Sequence, residues 1–244
     1  MKKTIASCAF LICFHTIALF GQQENRFDFR SSYGVTTTYS SNSSHILIGI
    51  SEGREITTAG FEYTHRLLEN GSVKLEYAGE VSPLYRESDP AITGYTETYD
   101  GITTFYPTGS ARVVLTHGGS PPEDCITYYP TCVPVNPVPG PNEITYGFAT
   151  APLGSRVILR PRKRVQPTFL TNVGMVFTQR TIPVDEASSI NFQFSFGPGV
   201  QVFVTKNYSF RIEYLYRHIS NADIGLLNPG IDQGVFRITL SRHR

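Results

Sequence analysis

From residue 27 onward, apolar and polar positions alternate one by one, the period that sends successive side chains to opposite faces of a β-strand. In Ile190-Asn191-Phe192-Gln193-Phe194-Ser195-Phe196 every even position is apolar and every odd one polar. Val73-Lys74-Leu75-Glu76-Tyr77 and Phe27-Asp28-Phe29-Arg30 alternate in the same way. Runs of this kind predict strands near 27–39, 45–67, 72–86, 145–160, 166–178, 190–205, 208–220 and 232–242. Their number is even, as closure of an antiparallel barrel requires if both termini lie at one end.

The connections alternate as well. Short ones fall at Glu69-Asn70-Gly71, at 160–166 and at Lys206-Asn207, and longer ones near 40–44, 87–144, 179–189 and 221–231. Short turns at one end and long loops at the other are the mark of an up-and-down membrane barrel with its termini on the short-turn side. A soluble lipid-binding barrel has the same strand count but keeps its apolar side chains inside. The polar face carries Asp28, Arg30, Glu62, Arg66, Lys74, Glu76, Glu80, Gln193, Arg211, Glu213 and Arg237, too many charges for a dry core. They suit a narrow lumen in which opposite charges pair. The other face, rich in Phe, Tyr, Ile, Val and Leu, suits lipid, with Tyr near the rims. The expected fold is therefore all-β: an eight-stranded antiparallel up-and-down transmembrane β-barrel with one long extracellular loop. Gly197-Pro198-Gly199 inside the sixth strand suggests a bulge or bend.

Composition narrows the reading further. The 244 residues hold 21 Lys plus Arg against 20 Asp plus Glu, so no basic field exists to hold a nucleic-acid backbone. Met1-Lys2-Lys3 followed by the apolar run from Ile5 to Phe20 and then Gly21 reads as a signal peptide over 1–21, leaving 22–244 as the barrel domain, including the loop 87–144. Export leaves two cysteines, Cys125 and Cys132, in an oxidising compartment, where they would close a disulfide within the long loop. His117 beside them makes a poor metal site, because the spacing matches no usual zinc pattern and a fourth ligand is missing. That loop also holds nine of the 16 prolines, which rules out a continuous pair of central strands there and suits a surface lid. No metal or cofactor is expected. A homodimer is compatible with the pattern but cannot be read from it.

Candidate chemistry collects in the last hairpin. Strand 208–220 has its apolar face at Tyr208, Phe210, Ile212, Tyr214 and Tyr216, and His218 and Ser220 continue that face at the strand's outer end. In the following strand, Gly234, Phe236, Ile238 and Leu240 share a parity with Asp232. A serine, a histidine and a carboxylate thus fall on one side of neighbouring strands, the residue types of a hydrolase triad: Ser220 as nucleophile, His218 as base and then acid, Asp232 orienting the imidazole. Asn221 reads either as an oxyanion donor or as an Asx turn, and Asp232 after Pro229-Gly230 reads equally as a turn residue. Arg217 has inward parity.

Arg217-His218-Ile219-Ser220-Asn221-Ala222 followed by Asn228-Pro229-Gly230-Ile231-Asp232 resembles the signature of the PagL family of outer-membrane lipid A 3-O-deacylases. The resemblance implies a serine hydrolase in the outer membrane that acts on the ester-linked acyl chain of lipopolysaccharide. It assigns His218, Ser220 and Asp232 to the triad and Asn221 to the oxyanion hole. Asp232 stands where the family usually has a glutamate. A barrel without chemistry, serving as a structural, adhesion or narrow-pore protein, is the rival reading.

Overall fold

The structure, a computed structural model, describes residues 27–112 and 136–244. The expected signal peptide and the pair Cys125 and Cys132, with His117, lie outside the described residues. Eleven strands follow in chain order. They are β1 (Ser31–Ser40), β2 (Glu55–Glu69), β3 (Val73–Asp89), β4 (Ala91–Tyr99), β5 (Ile102–Arg112), β6 (Pro137–Pro139), β7 (Glu143–Leu159), β8 (Val165–Ile182), β9 (Ser188–Phe203), β10 (Tyr208–Ser220) and β11 (Ile231–His243). Eight of them close a barrel in the order β1-β2-β3-β7-β8-β9-β10-β11, with β11 returning to β1; β4, β5 and β6 form a separate three-stranded sheet. All barrel pairings are antiparallel, as in Tyr33↔Arg242, where β1 meets β11. The inner end carries Phe27, Arg244 and the short turns at 70–72, 160–164 and 204–207, and the outer end carries the long connections.

Burial follows parity along most of the barrel strands. On β10 the odd residues from Ser209 to Ile219 are buried in the lumen, while Tyr208, Ile212 and Tyr214 are exposed on the outer wall. The barrel is therefore polar inside and apolar outside, the arrangement of a membrane-spanning barrel and the inverse of a soluble one. Tyr33, Tyr63 and Tyr77 form a ring-to-ring row on that wall towards the inner end, with centroids 5.1 and 6.4 Å apart, as an interfacial belt requires.

The lumen is filled by ion pairs. Arg156 Nη2 reaches Glu62 Oε2 at 2.7 Å, Arg237 Nη2 reaches the same oxygen at 2.6 Å and Glu80 Oε2 at 2.8 Å, and Arg237 Nη1 reaches Glu213 Oε2 at 3.0 Å. Arg211 also donates to Glu62. Beyond this charged layer lies an apolar one of Ile56, Tyr85, Ala149, Val176, Ile182, Ile219 and Ile231. Lys74, Glu76 and Gln193 are buried in the lumen as expected. Asp28, Arg30 and Arg66 are not: they sit at the inner rim, where Arg66 bonds Asp28 at 2.5 Å with both side chains partly in solvent.

Three sequence expectations change. The strand expected over 45–67 begins only at Glu55; residues 41–54 form a strap across the outside of the barrel mouth, tied to β11 by the bridges Ser43↔Gln233 and Ser51↔Ile231. Ile46, Ile48 and Ile50 alternate with His45, Leu47 and Gly49, so the run mimics a strand while pairing only at its ends. The loop expected over 87–144 is partly ordered: β3 runs to Asp89, β7 begins at Glu143, and between them β4 and β5 form a hairpin in a sheet of its own, with β6 along β4 and Arg112 at the end of β5 bonded to Thr181 of β8. Finally, Gly197-Pro198-Gly199 makes no bulge. The β9–β10 ladder lapses between Glu213↔Gly199 and Tyr216↔Phe196 and resumes in the same register, because Pro198 has no N–H to offer.

Candidate active site

β10 and β11 pair so that His218 lies directly opposite Asp232. Both side chains leave the outer wall, and His218 Nδ1 and Asp232 Oδ1 are 2.6 Å apart. The carboxylate is fully buried although it faces outward, because the strap lies over it. Leu47 N–H and Ile48 N–H donate to Oδ2 at 2.7 and 2.9 Å, and Tyr216 Oη donates to Oδ1 at 2.8 Å. Four partners thus hold the two oxygens, which fixes the plane of the carboxylate and with it the orientation of the imidazole. With Nδ1 engaged, Nε2 is the nitrogen left to exchange a proton.

Space around the ring comes from glycine. Gly230 has φ +61°, and a Cβ there would stand 3.0 Å from His218 Cε1. Phe194, paired with His218 across the β9–β10 ladder, has its ring centroid 5.3 Å from the imidazole, and Phe196 lies 5.2 Å from Tyr216. From these two phenylalanines a groove of about 630 Å³ runs along the outer wall past Phe169, Val173 and Leu153. The β7–β8 ladder shifts register between Thr150 and Leu153, and Leu153 lines the groove.

Ser220 ends β10 on the same face as His218 and is half-buried. Its hydroxyl is not bonded to the imidazole. Oγ donates to Asn228 Oδ1 at 2.9 Å and accepts from Ala222 N–H at 3.2 Å. The loop that carries these partners is built by Asn221: its Oδ1 accepts from Asp223 N–H at 2.9 Å, an Asx turn, and its Nδ2 donates to Leu227 O at 2.7 Å. Ala222 and Asp223 both take left-handed φ angles, 50° and 60°. Asn221 is buried with both side-chain ends committed to the loop. Its backbone N–H donates to Asn228 Oδ1 at 3.1 Å.

Two partners escaped the sequence reading as site members. Asn228 stands within the motif, yet its contact with Ser220 depends on how the loop turns back, which spacing alone does not give. Tyr216 falls by parity on the apolar face, but it pairs with Gly234, which places its hydroxyl diagonally across from Asp232. A bare glycine opposite a tyrosine two residues from the acid was the available signal. Arg217 points into the lumen, where it is buried, and is not a rim cation. Among the described residues no group of three or more histidine, cysteine or acidic side chains is placed to hold a metal.

The family model described as lipid A 3-O-deacylase (PagL) matches residues 142–241. No curated protein matches the chain. Among solved structures, the outer membrane enzyme PagL aligns at 11% identity over 84% of this chain and 97% of that one, with a TM-score of 0.48. Neisserial surface protein A aligns at 9% over 88% and 97%, with a TM-score of 0.43, and the Yersinia pestis outer membrane protein Ail at 12% over 89% and 100%, with a TM-score of 0.33. The matched segment runs from the residue before β7 through nearly all of β11 and contains the whole His218–Asp232 motif. Over residues 142–241, somewhat under half of its length, the chain is similar to the PagL family of lipid A 3-O-deacylases.

Proposed function

We propose that the protein is an outer-membrane serine hydrolase that removes the ester-linked acyl chain at position 3 of lipid A, working on lipopolysaccharide in the outer leaflet. The observation that carries this reading is the 2.6 Å contact between His218 and a buried, four-partnered Asp232 on the lipid-facing side of the barrel, two residues from Ser220. A buried carboxylate tied to an imidazole on that side has little structural purpose, since the wall beside it otherwise meets hydrocarbon.

In the reaction, the Ser220 hydroxyl turns from Asn228 to His218 Nε2, as catalytic contacts that are loose in a free enzyme commonly do. Its oxygen attacks the acyl carbonyl while Nε2 takes the proton, and Asp232 stabilises the imidazolium that forms. Once Ser220 turns, the Asn228 amide and the backbone N–H groups of Asn221 and Ala222 supply the donors for the developing oxyanion, and such donors are worth about 3–4 kcal/mol of barrier. The imidazolium then protonates the departing sugar oxygen, leaving the acyl group on Ser220. Water, deprotonated by His218, releases the fatty acid. The groove leading from Phe194 and Phe196 is apolar and suits the acyl chain, while the sugar and its phosphates stay above the mouth.

Mass spectrometry of lipid A from cells expressing the wild type or Ser220→Ala tests the assignment. The wild type should remove one acyl chain per lipid A. The variant should leave the lipid intact, a loss of at least about 10³-fold, while inserting equally well. An unchanged acylation pattern with the folded wild type would favour the barrel without chemistry.

A further inference from the structure

The strap at 41–54 has the alternation of a strand, lies outside the barrel wall, and ends at the acid of the site. It is fastened on both sides of its apolar tip. Ser44 N–H donates to Asp232 O at 3.1 Å, Ile50 N–H to Pro229 O at 2.8 Å, and Ser51 N–H to Gly230 O at 3.1 Å. Farther along, Arg54 enters the lumen and pairs with Asp89 at 3.1 Å, both side chains fully buried. Between these fastenings the residues whose amides face the carboxylate, Leu47 and Ile48, have apolar side chains that are 59% and 60% exposed and turn away from it. The backbone meets it, through the two N–H groups on Oδ2. Gly49 completes the fit. A Cβ there would stand 2.6 Å from Asp232 N and 2.8 Å from Oδ1, so any other residue must lift the strap away.

We infer that residues 47–49 are a positioning device for the Asp232 carboxylate: the Leu47 and Ile48 amides and the bare Cα of Gly49 seat the oxygen pair that orients His218. The division of labour supports this. Oδ2 is held by the strap and Oδ1 by His218 and Tyr216, so that without the amides on Oδ2 the group is free to turn about its Cβ–Cγ bond and the Nδ1 contact loses its direction. A strap supplied by a different part of the barrel also allows a short acid to be held against the ring without moving β10 towards β11. The role rests on the deacylase reading only for its effect on rate, since the seating itself is a property of the His218–Asp232 pair.

Two variants separate the possibilities. Gly49→Ala displaces both amides, and Ile48→Pro removes one N–H and sets the ring Cδ in its place against Oδ2. Each is purified as a heat-modifiable barrel and examined for lipid A deacylation in mixed micelles and for the low-field proton resonance of the His218 Nδ1–H. In both, kcat should fall about 10- to 100-fold, the range for losing hydrogen bonds to a charged group, with KM within about threefold of wild type. The low-field resonance should shift upfield or broaden beyond detection. Ser220→Ala should abolish turnover and keep the resonance. Wild-type kcat and resonance in either folded variant would overturn the inference, and should one variant fail to close as a barrel the other decides. A resonance lost in Gly49→Ala beside a wild type that never deacylates lipid A would uphold the seating and remove the enzyme reading instead.

Discussion

Two buried carboxylates, Glu62 in the middle of the lumen and Asp232 under the strap, are each held by several donors, and the donors differ in kind. Glu62 receives three arginines, Arg156, Arg211 and Arg237, whose guanidinium groups donate hydrogen bonds and accept none. Asp232 receives two backbone amides, a phenol and an imidazole, and of these the imidazole is the group built both to take up and to give back a proton in a reaction. The first arrangement is electrostatically closed and holds strands together. In the hydrolase reading proposed above, the second supplies one mobile proton beside the strand end where Ser220 stands. The same residue type serves as a fastener or as a chemical part according to whether its partners can change charge.

Replacing Asp232 by Asn should break the rim arrangement most severely. An amide there must turn its N–H groups either to the imidazole or to the Leu47 and Ile48 amides, and neither can accept them while His218 keeps its working tautomer. Deacylation measured in micelles should fall by about 10³- to 10⁴-fold. Glu62→Ala tests the other half of the comparison. It leaves Arg156, Arg211 and Arg237 short of their shared partner in a closed lumen, and the loss should be about 3–5 kcal/mol, seen as a lower urea midpoint for the heat-modifiable band. Its specific activity per folded barrel should stay within about twofold of wild type, because no part of the rim touches it. The smallest effect is expected from Tyr216→Phe. It removes one of two contacts on Oδ1 and should lower kcat by about tenfold, with no change in the unfolding midpoint beyond about 1 kcal/mol. A tyrosine variant that altered KM alone would return Tyr216 to the apolar wall.

Parity carried much of the architecture. β10 has the bounds that its alternation implies, β11 differs by one residue at each end, and the outward placement of His218, Ser220 and Asp232 follows from counting by twos along two strands. The strap was not legible because Ile46, Ile48 and Ile50 repeat with the period of a strand, and nothing local says that their backbone pairs with β11 only at Ser43 and Ser51. The hairpin of β4 and β5 was obscured by proline content, although the nine prolines of that segment leave room for it: only Pro107 falls within either strand. Contacts that depend on how a loop folds back, such as Asn228 on Ser220, carry no period at all. The role of Asn221 was open between two readings, and the structure gives its side chain to the turn.

The charged layer in the lumen also bears on how the wall can assemble. Glu62 comes from β2, Glu80 from β3, Arg156 from β7, Arg211 and Glu213 from β10 and Arg237 from β11, so five staves of the barrel each send a spoke to one hub. Sliding any one stave by a single residue would turn its spoke outward and deliver an ion to the hydrocarbon, at about 2–4 kcal/mol for an arginine near the midplane, while its former partners lost their counterion. Misaligned closures are thereby penalised twice, and the one alignment that seats every spoke is also the one that sets His218 against Asp232.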